Sequence, residues 1–275
     1  MDDKVPGAPD RRSPYAVQGM TWPQAQDVLT RAKLAIIPVG STEQHGPHLR
    51  LETDTAIAEA LALRIADAVA PVAVVAPPIP VGVSYHHMDF AGTLTLSPDT
   101  LQLVLTEVAE SLRQHGITHF FFLSGHGGNE ATLEVLVTKL RFQRGFHVGS
   151  LFYFALARDI MSEGAVSERW GHACEVETSL ALYLRPDLVD GDQVSQGALH
   201  PYPYPYSDQN SPPAVTVPFS FAELTANGAF GDARQADVDF GRAIAETVVE
   251  RAAVFLRDFV MGSVTAPVGV SEEET

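Results

Sequence analysis

The stretch Phe120-Phe121-Phe122-Leu123-Ser124-Gly125-His126-Gly127-Gly128-Asn129 decides the fold. Its first four residues are wholly apolar, as expected of a strand buried on both faces of a parallel sheet. They feed directly into glycines, a histidine and an asparagine placed to cap a helix running to about Phe142. Working outward, Leu34 to Val39 is a second apolar strand, leading into Gly40-Ser41-Thr42-Glu43-Gln44-His45-Gly46-Pro47-His48. From Thr53 the apolar positions Ile57, Leu61 and Ile65 recur every four residues, predicting a helix to about Ala68 with Thr53 or Asp54 as its cap. Thr21-Trp22-Pro23 opens a short helix before these elements. After them come a strand from Val72 to Ala76, a loop from Val81 to Thr95, and a helix capped at Ser97-Pro98-Asp99. A strand from Val148 to Phe154, a helix ending near Leu184 and a last helix from Gln235 to Phe259 complete the pattern. Such alternation predicts β-α units, with a mainly parallel sheet and helices on both sides. Ligands in such sheets bind beyond the carboxyl ends of the strands, where both the Glu43/His45 and His126 loops emerge.

The chain has 275 residues, 45% of them hydrophobic, enough to bury a substantial core. A formal charge of −16 argues against nucleic acid or an anionic membrane as partner, since either needs a basic face. Cys174 is the single cysteine, which excludes an internal disulfide framework and suits a reducing cytoplasm. No run approaches the roughly 18 apolar residues of a membrane span, and Met1-Asp2-Asp3-Lys4 does not start a signal peptide. Residues 1–14 and the acidic 263–275 read as frayed ends around one domain, 15–262, within which Gly197 to Pro218 is a Pro/Tyr-rich surface loop.

Glu43 and His45 are two apart, so in an extended segment both side chains share one face and could share one metal centre. Asp54 returns to that centre at a helix start, where exposed N–H groups favour a carboxylate able to bridge two cations. His126 adds a nitrogen donor, with Gly127 and Gly128 letting the backbone approach a ligand. His172 and Glu175, three apart, face the same way on a helical turn. This mix of carboxylates and imidazoles suits Zn²⁺, Mn²⁺ or Fe²⁺ rather than a thiolate site.

Taken together, Pro38 to Gly46, Asp54-Thr55, Phe90-Ala91-Gly92-Thr93, Ser124 to Asn129, His172 with Glu175 to Ser179, and Gly228 to Asp232 resemble the creatininase family over about residues 20–260. The resemblance implies a three-layer α/β/α sandwich, commonly a homo-hexamer, holding two divalent metal ions, Zn²⁺ first among them. It implies that the chain hydrolyses an amide-type C–N bond of a small-molecule substrate. Glu43, Asp54 and His126 would hold one ion; His45, the bridging Asp54 and Glu175 the other. Glu175 is expected to replace the glutamate that creatininase carries at the place of Gly128, a departure that points away from creatinine. Water activated by the metals would attack the carbonyl, His172 would pass the proton to the leaving nitrogen, and Glu177 would orient His172 or a ligand. His87, on a loop at the pocket rim, and Trp170 are expected to touch substrate. The family's activities with this motif include formamide hydrolysis, trimming of the mycofactocin precursor peptide and opening of an oxidised inositol ring. A metal-binding assembly protein without turnover is the non-enzymatic alternative.

Overall fold

The computed structural model describes residues 13–202, 204 and 215–262; the expected frayed ends, save residues 13 and 14, and most of the Pro/Tyr-rich segment lie outside them. Four strands, β1 (Leu34–Val39), β2 (Ala73–Val75), β3 (His119–Ser124) and β4 (His147–Phe152), form one sheet in the order β2-β1-β3-β4. Every pairing is parallel, with Ile36 opposite Phe121 and Phe121 opposite Gly149.

Alternation along β1 divides the core in two. Leu34 and Ile36 point to a cluster closed by α2 (Thr53–Ala68), α5 (Phe154–Gly164), α6 (Glu175–Leu184) and α8 (Val238–Met261). Ala35, Ile37 and Val39 point the other way, onto α3 (Pro98–Gln114) and α4 (Glu130–Arg144), with Val28 and Leu29 of α1 (Trp22–Leu29) at the edge. Both faces of β1, β2 and most of β3 are therefore dry, which is why these strands read as apolar runs, while the edge strand β4 is half-buried and carries Gly149 and Ser150. The expected three-layer α/β/α sandwich is found.

Several local expectations change. Glu52, not Thr53 or Asp54, is the N-cap residue of α2, which leaves Asp54 in the first turn with its carboxylate free for other partners. Asn129 does not cap α4 with its side chain; its amide donates to the Gly40 carbonyl and accepts from the Val83 N–H, tying three loops together. The strand expected to reach Phe154 ends at Phe152, and α5 begins directly. The described flanks of the Pro/Tyr-rich segment are more than surface loop: Leu199, Tyr202 and Val217 pack against buried Phe219, Phe221, Leu224 and Phe230, Phe221 and Leu224 being the ends of the short helix α7.

Candidate metal centre

The strand order reverses between β1 and β3, since the chain runs from β1 outward to β2 and then returns to the far side of β1. A crevice at such a switch point is the expected ligand site. The loop after β1 carries Glu43 and His45 there, and the loop after β3 carries His126. The N-termini of α2 and α6 bring Asp54 and Glu177, each in a first helical turn, where the backbone field favours negative charge. Glycines make the approach possible: a Cβ on Gly40 would run into Thr55, and one on Gly125 into the Asp54 carbonyl.

All of these side chains are buried. His45 Nε2 lies 2.9 Å from Asp54 Oδ1, while His126 Nδ1 lies 3.1 Å from Glu43 Oε1 and 3.3 Å from Asp54 Oδ2. The other nitrogen of His126 is 3.0 Å from the Val83 carbonyl, so that Nε2 carries a proton and Nδ1 is the atom that faces the carboxylates. Ser84 donates to Glu43 Oε2 at 2.7 Å. Glu43 Oε1 and Asp54 Oδ2, in contrast, are buried without a hydrogen bond of acceptable geometry. Buried carboxylate oxygens left bare among imidazole nitrogens are costly unless a cation meets them, so the donor set fits divalent metal. Donor atoms within 4.8 Å of one another fall into three sets: Glu43/His45/Asp54, Glu43/His87/His172 and His45/His172/Glu177.

Charge tells the same story. Burial lowers the pKa of His45, but Asp54, Glu177 and Glu43 outweigh it and hold the ring up at about 10. Burial would raise Asp54, yet His45 and His126 keep it well below the usual carboxylate range. Glu177 is pushed up to about 7 by burial, with His45 opposing and Asp54 adding to the rise. An excess of negative potential strong enough to hold protons on His45 is also one that attracts a cation.

The two acids of α6 differ in their surroundings. Among the described residues Glu175 accepts from the backbone N–H groups of Ser167 (2.7 Å) and Asp232 (3.0 Å) and, like His126, belongs to none of the donor sets; Glu177 belongs to one, its Oε2 also accepting from the Ala173 N–H (2.5 Å). His87 is buried rather than rim-exposed, 3.2 Å from Glu43 Oε1. A cavity of about 510 Å³ opens from the cluster, with Gly127, Gly128, His87, His172 and Trp170 all in its wall. His86, given no role by the sequence, lines it too and stacks on His126 at 5.4 Å; its adjacency to His87 was the available signal. Phe221, Phe230 and Arg158 also line it; Phe230 lies in the Gly228 to Asp232 segment that carries the resemblance, whereas nothing in the sequence surroundings marks Phe221 or Arg158. Cys174 is no nucleophile, since burial and the nearby Glu177 and Glu175 push its thiol up to about 12.

A buried cluster of carboxylates and imidazoles at the switch point of a parallel sheet defines an α/β protein with a candidate metal centre. The particular family follows from comparison: the family model described as creatinine amidohydrolase matches residues 18–256, and the chain belongs to the creatininase family of hydrolases. It is 35% identical over 187 residues to the mycofactocin precursor peptide peptidase of Mycolicibacterium smegmatis, covering 66% of this chain and 70% of that protein. It is 27% identical over 257 residues to the creatinine amidohydrolase of Pseudomonas putida, covering 87% and 95%. A solved manganese form of creatininase superposes with a TM-score of 0.70 at 27% identity, over 89% of this chain and 98% of that one.

Proposed function

We propose that this protein is a two-metal hydrolase of an amide-type C–N bond, with Glu177 in the role first assigned to Glu175. The observation that carries the reading is the convergence of Glu43, His45, Asp54, His126 and Glu177 around two bare, buried carboxylate oxygens. Glu43, Asp54 and His126 would hold one ion, and His45, Asp54 and Glu177 the other, a mixed oxygen and nitrogen set suited to Zn²⁺ or Mn²⁺. Bound there, the two cations supply Lewis acidity toward a carbonyl and a water whose pKa falls from about 15.7 to roughly 7.

The chain's own residues supply the rest. His172 turns Nδ1 toward the site, 3.9 Å from both Glu43 Oε1 and Glu177 Oε2, where it can carry a proton to the leaving nitrogen. Burial and the neighbouring His45 hold it well below its usual pKa, so the ring is neutral. Phe221, edge-on to His172 at 4.6 Å, and Phe230 keep water from its far side. Gly128 keeps the floor open, since a side chain there would meet the His126 ring.

Of the amide classes, a peptide is favoured over a single small ring. The relatives at 32–35% identity are named as precursor peptide peptidases, and a cavity of about 510 Å³ lies within the roughly 300–1,000 Å³ that holds drug-sized ligands. Metal analysis of protein loaded with Zn²⁺ or Mn²⁺ should give about two ions per chain by this assignment. Loaded protein should cleave N-acylated peptides faster than creatinine, and Asp54→Asn should lose both ions and turnover. Full metal content and full rate in Asp54→Asn would remove the reading altogether. Creatinine cleaved faster than any peptide would return the substrate to the small-molecule class.

A further inference from the structure

One buried residue of the site is absorbed neither by metal binding nor by proton transfer. Gln44 lies between Glu43 and His45, and its amide touches four partners in the cluster's upper wall. Its Oε1 accepts from the Gly46 N–H at 2.9 Å, and its Nε2 donates to the Gly228 carbonyl at 3.1 Å. These two contacts fix which end of the amide is oxygen, because a flipped amide would set oxygen against oxygen and N–H against N–H. Nε2 is also 2.8 Å from His87 Nδ1 and 3.0 Å from His172 Nε2.

An amide nitrogen has two hydrogens for these three neighbours. The backbone carbonyl of Gln44 resolves the competition: it is 2.8 Å from His172 Nε2 and can only accept, so His172 carries its proton on Nε2. The side-chain hydrogens then go to Gly228 and to His87 Nδ1. From this accounting we infer that Gln44 is a positioning residue which sets the tautomers of two imidazoles at once. His172 is fixed with a bare Nδ1 toward Glu43 and Glu177, and His87 with a protonated Nε2 toward Glu43 Oε1. Gly228, at φ 81°, exists to make room: a Cβ there would overlap the Gln44 amide. The inference deepens the proposed proton-carrier role of His172, since only a bare Nδ1 can take a proton from the side of the carboxylates.

Long-range ¹H–¹⁵N spectra of ¹⁵N-histidine-labelled, Zn²⁺-loaded full-length protein test it, with His172→Asn and His87→Asn assigning the signals. Both rings should show the Nε2–H pattern. Gln44→Glu replaces the donor at His87 by a carboxylate oxygen, so His87 should gain a proton on Nδ1 while His172, held by the backbone carbonyl, keeps its pattern. Gly228→Ala, which displaces the amide without changing its chemistry, should broaden or shift the His87 signal. A native Nδ1–H tautomer at either ring overturns the inference, as does a His87 signal unmoved by Gln44→Glu. Should Gln44→Glu not fold, the native spectrum alone decides. Zinc counted on the same samples keeps the questions apart: protein that binds no zinc defeats the two-metal reading and leaves the tautomer result standing.

Discussion

Under the proposed assignment two glutamates, Glu175 and Glu177, separate a scaffold role from a ligand role within one helical turn. Glu175 satisfies two backbone N–H groups from different loops, so Glu175→Gln sets an amide against one of them. An unsatisfied buried group costs about 1–3 kcal/mol, and the variant should melt earlier while keeping its metal. Glu177→Gln should instead drop metal content from about two ions per chain to about one, with a smaller loss of melting in the metal-free form than Glu175→Gln, since one backbone N–H, that of Ala173, is at stake rather than two. Metal analysis and calorimetry on the same preparations check both, and the opposite assignment restores Glu175 as ligand. The sequence pointed to Glu43, His45, Asp54 and His126 as neighbours, and the structure brings them together because each stands just beyond a strand or at a helix start. Glu175 was expected to face the site because its spacing from His172 suggested one helical turn. His172 is not in the helix: it bridges Phe230 in extended form, and Ala173 follows at φ 48°, so α6 starts only at Glu175 and turns that residue away.

At the scale of elements, the site depends on how closely α2 seats against the ends of β1 and β3. Gly125 follows β3 directly, and a Cβ there would occupy the place of the Asp54 carbonyl, backbone that cannot swing aside. Gly125→Ala should therefore push the first turn of α2 outward, carrying Asp54 with it. Overpacking of this kind costs about 1–3 kcal/mol or more, and metal content should fall along with stability. An alanine variant with native melting and two ions would show that α2 has slack the close contact denies. The strands and α2, α3 and α4 could be read from apolar runs and four-residue recurrence. Helix α5 could not, because Phe152-Tyr153-Phe154 continues the aromatic pattern of β4 with no capping side chain or glycine between strand and helix. That strand-to-helix corner places Phe152 and Phe154, stacked at 4.6 Å, in the cavity wall beside Trp170.

Across the whole molecule, the centre joins elements distant in sequence, and its charge opposes that joining. Glu43, Asp54 and Glu177 come from the β1 loop, α2 and α6, and are buried together in a chain already at −16. Cations bound among them would stabilise the folded state alone, because the unfolded chain holds these residues apart. Linkage gives about 4 kcal/mol for a single ion present at about 1,000 times its Kd. For a chain of this size each kcal/mol moves Tm by roughly 2–4 °C, so stripping the ions with a chelator should lower Tm by about 8–16 °C or more. Adding Zn²⁺ or Mn²⁺ back should restore it. Asp54→Asn makes the comparison specific: with the bridging carboxylate gone, its Tm should be insensitive to chelator and to added metal alike. Equal melting of stripped and loaded native protein would mean that the cluster holds its carboxylates together through the imidazoles alone, with His45 and His126 as the countercharges.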